Sequence, residues 1–438
     1  HTKKYTFQTY NNQIPTRIKN IDLTPPLSSL LSSPPLPSKT VIPEACQGVD
    51  FKWLASDRKY WDGWSSKAMF MKKNGKFTRK PVQMNQGESV CVAVLLGPVP
   101  ALSIIKAMSH YGPADSIMMT AVDTKGTRVP IVLKQHEKQT NSYFASVQFS
   151  FSGTWHLETS VEYRSYFWEY PNFHKYLPNR FQSENSLIVR PKQQPVHTCD
   201  LLNGSLMNSA WKKSGKKYDF MPPCKLLDNE CSSKYKTIHM WGDRHLKRNT
   251  LSMLNRIPAN SNICGQDEEQ QLKSPLTLPN QSQQIYFDQL NKTVVEMLGA
   301  WKMHIQNKKR QLPKADLVLI GIGNEDLGSI RQDPTEFAVY FHSFLTFLKE
   351  KVYSKQTMII KTTQAISGKL SHGYNYGRSE AYANIIRTSV LSFNDSKVIL
   401  WDTYQLGLEE NQCSDITSNS QVVRLENRML SHILCQLE

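Results

Sequence analysis

Nowhere in the 438 residues is there an apolar run approaching the roughly 20 residues that a helix needs to cross a bilayer. A phosphate-cradling GxxxxGK is absent, as are CxxC knuckles followed by histidine clusters. P-loop chemistry and zinc-knuckle folds are therefore not expected, and no metal triad or cofactor motif is present. Acidic side chains are in deficit: 37 Asp and Glu face 53 Lys and Arg, for a formal net charge of +16. That excess suits acidic partners such as sulfated or sialylated glycans, anionic lipid heads or nucleic acid. No RNA-binding motif or reading helix accompanies it, so nucleic acid is not expected. No leader is recognisable from His1 onward, as for a mature species whose leader has been removed or a chain with an upstream anchor.

Cysteine is sparse, with eight residues: Cys46, Cys91, Cys199, Cys224, Cys231, Cys264, Cys413 and Cys435. An even number without metal-ligand grouping reads as disulfides formed in an oxidising compartment. Sequons at Asn203, Asn280, Asn291 and Asn394 fit the same route, which places the protein outside the cell or in the Golgi or ER lumen.

The length suggests two domains. Residues 1–43 include DLTPPLSSLLSSPPLPSKTVIP, whose prolines deny it a helix or a central strand, so an extended segment is expected. The aromatic stretch FKWLASDRKYWDGW offers rings for sugars or bases, but packing is the preferred reading. The run KKNGKFTRK, residues 72–80, reads as a solvated hairpin with Asn74-Gly75 at its turn, able to contact an anionic partner. ESVCVAVLL, DSIMMTAVD, RVPIVLKQ, SYFASVQFSF and TWHLETSVEY are short, partly alternating strands, and over residues 44–195 they predict an antiparallel β-sandwich. The last two, with Gly153 at their turn and Trp155 opening the final strand, resemble the closing hairpin of immunoglobulin- and filamin-like modules.

Over residues 205–438 the pattern changes to strands alternating with helices. KTIHMWG, QIYF, DLVLIGIG, QTMIIKT and KVILWDT are the strands, and they predict a five-stranded parallel sheet between helical layers. A site is expected at the carboxyl ends of such strands. Those ends carry Gly242-Asp243-Arg244, the turn at Asn324, Glu325 and Asp326, the Thr362-Thr363 region, and Asp402 with the loop to Thr417.

The approach through Trp211, Cys224 and Cys231, the strand ending in Gly242-Asp243, and the tail QVVRLENRMLSHILC together resemble the PC-esterase branch of the SGNH (GDSL-like) hydrolase and acyltransferase superfamily. The similarity is greatest to the neurexophilin and PC-esterase-domain family. It implies a three-layer α/β SGNH-like domain preceded by an immunoglobulin/filamin-like β-sandwich. In active members the elbow reads Gly-Asp-Ser, the serine being the nucleophile, and an Asp and a His near the carboxyl terminus complete the triad. The resemblance puts the serine at Arg244, the histidine near Thr417 and the acid at Asp415 or Ser414. Arginine has no lone pair free to attack an ester, and threonine is no general base at neutral pH. His245, one residue late at the start of a helix, and His372, in a loop, are weak substitutes, and His239 inside its strand reads as packed.

The rim Gly242, Asp243, Arg244, Asn324, Asp402, Asp415 and Thr417 is therefore expected to be degenerate. On this reading it binds an acidic glycan or an extracellular protein, or Arg244 fills the pocket by pairing with Asp402 or Asp415. Carbohydrate O-acetyl transfer or acetyl-ester hydrolysis is the enzymatic alternative, and a purely structural subunit is the third.

Overall fold

The first-half strands alternate inward and outward side chains, and in the structure, a computed structural model, they pair into two sheets. Residues 34–35, 40–52, 66–97, 111–169, 178–193, 195–203, 206, 208–214, 217–227, 231–256, 272, 274–278, 283–290, 293–294, 304–305, 307–329, 332–366, 374–407 and 420–437 are described. Asp415, Thr417, His372, Cys264, Cys413, Asn280, Asn291, most of the Pro/Ser-rich segment and most of the aromatic stretch lie outside them.

Lys67–Phe70, Ser89–Leu95, Ser142–Gln148 and Lys134–Gln135 form, in that order, an antiparallel four-stranded sheet. The second sheet has eight strands. Its order is Lys217–Met221, Ala210–Ser214, Arg128–Ile131, Ser116–Asp123, Gly153–Tyr163, Leu187–Arg190 and Val82–Asn85, with Asn179–Gln182 also paired to Gly153–Tyr163. Leu187–Arg190 runs parallel to Val82–Asn85. The two sheets share one core, to which the first contributes Phe70, Val92 and Tyr143 and the second Ile117, Trp155 and Leu187.

The expected immunoglobulin/filamin-like sandwich is thus corrected. The strands are where alternation put them, but they sit in an antiparallel four-stranded sheet and an eight-stranded sheet that includes a parallel pair. Alternation reports which face of a strand is buried and says nothing about its neighbours. The turn expected at Asn74-Gly75 forms, the Gly75 N–H donating to the Lys72 carbonyl and the Lys72 N–H to the Lys76 carbonyl, but the flanking strands Lys67–Phe70 and Val82–Asn85 belong to different sheets, so the segment crosses between sheets instead of joining a paired hairpin.

The third sheet has the order Leu276–Thr277, Gln284–Gln289, Thr237–Gly242, Leu317–Gly321, Thr357–Lys361 and Val398–Trp401. Leu276–Thr277 is antiparallel to its neighbour and the other five strands are parallel, so the expected five-stranded parallel sheet is corrected to a six-stranded mixed one. Two residues carry no periodicity to read, which is why the edge strand has no signature.

Helices α1 (Arg244–Met253), α2 (Asn324–Gly328), α3 (Pro334–Phe347), α4 (Tyr376–Ser392) and α5 (Ser420–Gln436) accompany this sheet. Asp333 caps α3 by accepting from the Glu336 N–H, Pro334 opens its first turn, and Phe337, Phe341 and Phe344 line one buried stripe. Along Leu317–Gly321 the faces alternate. Val318 and Ile320 pack with Phe341 of α3 and Ile386 of α4, while Leu317 and Leu319 pack with Leu246 of α1 and Leu430 of α5. Three disulfides, Cys46–Cys91, Cys199–Cys224 and Cys231–Cys435, pair six of the eight cysteines. No helix among the described residues is long and apolar enough to cross a membrane.

The first half touches the second at the start of α4. Glu162 accepts from the Tyr376 N–H at 2.9 Å and Ser116 Oγ from the Gly377 N–H at 2.8 Å. A Cβ on Gly377 would lie 2.6 Å from the Trp168 ring, so only glycine allows this approach. Fully buried Arg378 donates to the carbonyls of Glu169, Leu327, Ser329 and Gln332, tying the first half to α2.

Candidate functional site

Thr237–Gly242 is flanked on both sides by parallel partners, so its carboxyl end opens in the middle of the sheet. A Cβ on Gly242 would lie 2.5 Å from Leu246 Cβ and 2.9 Å from the Gly321 carbonyl, so the turn closes only with glycine. Asp243 is the N-cap of α1: its Oδ1 accepts from the His245 and Leu246 N–H groups. Its Oδ2 accepts from the Asn324 backbone at 3.2 Å and from Asn324 Nδ2 at 3.0 Å, and Asn324 Oδ1 accepts from the Gln364 N–H at 3.1 Å. Gly323, at φ +116°, makes the turn that brings Asn324 here. Asp243 and Asn324 are 2% and 3% exposed, so both serve the elbow's own geometry.

Arg244 opens α1 and turns to the rim. Its Nε donates to Glu325 Oε1 at 2.8 Å and its Nη2 to Oε2 at 3.4 Å, with the two side chains 38% and 16% exposed. Glu325 stands in the first turn of α2, where a carboxylate also meets the positive end of the helix. Tyr374 borders the pair, its Oη lying where a Cβ on Gly328 would fall. Its phenol is pushed up to about 12, first by burial and then by Glu325.

Asp402 lies elsewhere on the rim. It accepts from Arg387 Nε at 2.7 Å and Nη2 at 3.0 Å, and from Thr362 Oγ1 at 3.3 Å. The expected pairing of Arg244 with Asp402 is therefore replaced by two separate pairs, Arg244–Glu325 and Arg387–Asp402. Glu325, in the turn after Leu317–Gly321, is the residue that pairs with Arg244. The structure brings together Gly242, Asp243, Arg244 and Asn324, and holds Asp402 apart with Arg387 of α4.

Behind the elbow is a buried cluster that sequence reasoning missed. Glu426 of α5 lies 2.9 Å from His245 Nε2, 3.0 Å from Lys361 Nζ and 2.9 Å from Asn249 Nδ2, and all four residues are at most 3% exposed. Burial alone would raise the Glu426 carboxyl; His245 and Lys361 outweigh it and hold it at about 2. Burial lowers both His245 and Lys361 against the pull of Glu426. Lys361 and Glu426 form a buried ion pair at 3.0 Å, and the His245 Nε2 lies 2.9 Å from the same carboxylate. A signal for this existed: Glu426 interrupts the apolar stripe of Val422, Val423, Met429, Leu430 and Ile433. Nearby, Asp326 accepts from the Val294 N–H at 2.7 Å and Gln332 Nε2 at 3.3 Å, and burial pushes it up to about 7. His239 is 2% exposed and meets Tyr353 Oη at 3.2 Å inside the core.

No nucleophilic hydroxyl occupies the elbow tip, and His245 is enclosed with Glu426 rather than open to the rim. No group of three or more metal-ligating side chains occurs among the described residues.

No family model matches this chain, and no curated protein does. Among solved structures, an acetyl esterase mutant crystallised with an acetate ion is 13% identical over 46% of this chain and 97% of its own, with a TM-score of 0.32. An acetyl xylan esterase is 14% identical over 44% and 98%, with a TM-score of 0.30. A lipase/acylhydrolase from Enterococcus faecalis is 12% identical over 46% and 96%, with a TM-score of 0.32. Similarity at this level assigns no activity to the chain.

Proposed function

We propose that the second half is an SGNH-like scaffold that has given up acyl chemistry at its elbow and binds an acidic group there, on a glycan or an extracellular protein. The observation that carries this reading is Arg244 at the elbow tip, with its guanidinium held at the rim by Glu325 and still 38% exposed. Arginine in that place can take a carboxylate or sulfate through two parallel N–H groups, beside the N-terminus of α1. Three disulfides support an oxidising setting, outside the cell or in the Golgi or ER lumen.

A fluorophosphonate probe and an array of sialylated, sulfate-free oligosaccharides test it together. The expected result is no covalent labelling and binding that is lost in Arg244→Ala. Stoichiometric labelling of a serine would overturn the non-catalytic reading, and full binding by Arg244→Ala would overturn the site.

Carbohydrate O-acetyl transfer or acetyl-ester hydrolysis is the second reading. It is favoured by the retained elbow frame, in which Asp243 and Asn324 are held to each other at 3.0 Å. Acetyl-ester turnover that disappears in Asn324→Ala would establish it in place of the first. A structural subunit without a ligand corresponds to neither binding nor turnover.

A further inference from the structure

The basic segment between the first two sheets is not used by the elbow. Lys72, Lys73, Lys76, Arg79 and Lys80 are all exposed, and among the described residues none has an ion-pair partner at salt-bridge distance. Five cations within nine residues repel one another, so a loose loop would spread them. This one is pinned. Asn185, 7% exposed, accepts from the Phe70 N–H at 2.9 Å and donates to the Phe70 carbonyl at 2.8 Å and the Thr78 carbonyl at 2.7 Å. Gly75, at φ +74°, lies so close to Gly48 that a Cβ would fall 1.8 Å from the Gly48 carbonyl oxygen. Gly48 in turn follows Cys46, which is bonded to Cys91. The Lys72 N–H closes the turn onto the Lys76 carbonyl at 3.1 Å.

The positive surface continues past the knuckle. Glu88 accepts from the Asn85 N–H at 3.0 Å and Asn85 Nδ2 at 3.2 Å, bonds that with Lys73 and Lys192 hold its carboxyl below its ordinary range, and the Lys192 N–H donates to Gln86 Oε1 at 3.5 Å. Lys192 lies on the lip of a groove of about 690 Å³ whose walls include Gln86, Gln148, Val196, His197 and Lys225. We infer that the knuckle of Lys72, Lys73, Lys76, Arg79 and Lys80, continued by Lys192 into this groove, binds a sulfated linear polysaccharide.

The chemistry favours that class. Holding like charges together before binding removes part of the ordering cost, and the gain is largest for a ligand with dense, repeating anions. The disulfides belong to an oxidising compartment, where sulfated glycans are the abundant polyanions and nucleic acid is not. A membrane surface calls for an exposed apolar wedge beside the cations, whereas the tip here is Lys73-Asn74 and Phe77 is half-buried.

The test uses the full chain and heparin oligosaccharides of defined length, with hyaluronan, a DNA duplex and phosphatidylserine vesicles alongside. Lys72→Ser/Lys73→Ser/Lys76→Ser is expected to lose at least tenfold in heparin affinity at 0.15 M salt. Its slope of log affinity against log salt should become shallower by roughly 0.7–0.9 per contact removed, if heparin releases counterions as nucleic acids do. A control variant, Lys314→Ser/Lys351→Ser/Lys355→Ser, removes three exposed lysines of the second half and is expected to bind as the unmodified chain does. Equal loss in the control would reduce the effect to net charge and overturn the surface. Equal or tighter binding of hyaluronan, DNA or vesicles would overturn the sulfated class. Arg244→Ala should leave heparin binding intact, which separates this surface from the elbow.

Discussion

Arg244 Nε meets Glu325 Oε1 at 2.8 Å across the mouth of the central strand, joining the first residue of α1 to the first turn of α2. The pair neutralises the Arg244 guanidinium while leaving it within reach of solvent. Its removal separates stability from binding. Because the pair is partly exposed and screened, Arg244→Ala and Glu325→Gln should each cost about 0–1 kcal/mol in denaturant unfolding. They should differ in titrations with a sialylated, sulfate-free oligosaccharide: Arg244→Ala abolishes binding, whereas Glu325→Gln, which removes the competing carboxylate, strengthens it. Matching effects of the two variants on affinity would count against Arg244 as the contact.

The Glu426 cluster should behave in the opposite way, large in stability and silent at the surface. Glu426→Ala leaves Lys361 buried without its partner and should cost about 3–5 kcal/mol, while an apolar replacement of both residues recovers much of that loss. A folded-state value of about 2 against an ordinary 4.5 places this contribution above pH 4.5 and removes it as pH falls toward 2, roughly 3 kcal/mol in all. His245 adds to the loss on acidification, because it is held neutral by burial and the unfolded chain takes up that proton below its ordinary 6.5. Urea titrations between pH 7 and pH 2 measure both effects.

Asp326 has the reverse sign. Burial raises its carboxyl from 3.8 to about 7, so the folded chain keeps a proton that the unfolded chain releases. Its effect is therefore absent below pH 3.8, grows unfavourable as pH rises, and is complete above about pH 7. Asp326→Asn preserves an acceptor for the Val294 N–H. It should be neutral at pH 3.5 and more stable than the parent by up to ~4 kcal/mol at pH 8, as measured by unfolding at the two pH values.

Cys231–Cys435 closes a sequence separation of 204 and ties α5 to the segment leading into the elbow strand. Replacing both with serine should cost about 5 kcal/mol on the chain-entropy account. Peptide mapping without reduction should recover this pair together with Cys46–Cys91 and Cys199–Cys224. A different pairing would count against the described arrangement.

The two described sequons differ. Asn394 is exposed at φ +45° beyond the end of α4, whereas Asn203 is exposed but its Nδ2 donates to Asp200 Oδ2 at 2.9 Å. Expressed in glycosylating cells through a secretory leader, the chain should carry a glycan at Asn394 with higher occupancy than at Asn203, as read by glycopeptide mass spectrometry. The reverse order would remove the role of the Asp200 bond.

Local signals carried far in this chain. Asp333-Pro334 announces α3, and the spacing of Phe337, Phe341 and Phe344 announces its buried face, because capping and periodicity act within a few residues. Gly242-Asp243 marks the elbow for the same reason. The pairing of Arg244 with Glu325 had no such signal: the residues are 81 apart, and Asp402 was an equally plausible acid until Arg387 claimed it. The expected sandwich failed likewise, since a half-buried strand can join several neighbours with the same inward face.

By itself the sequence determined the five parallel strands of the second half, the start and buried face of α3, and that the residue after Gly242-Asp243 is an arginine. These properties reside in short-range sterics, capping and the covalent identity of one residue. Only the tertiary structure decided the four-, eight- and six-stranded sheets, the partner of each charge around the elbow, and the enclosure of His245 with Glu426 and Lys361. Those depend on which distant groups desolvate together, a free-energy difference among many near-equal pairings that no local stretch encodes.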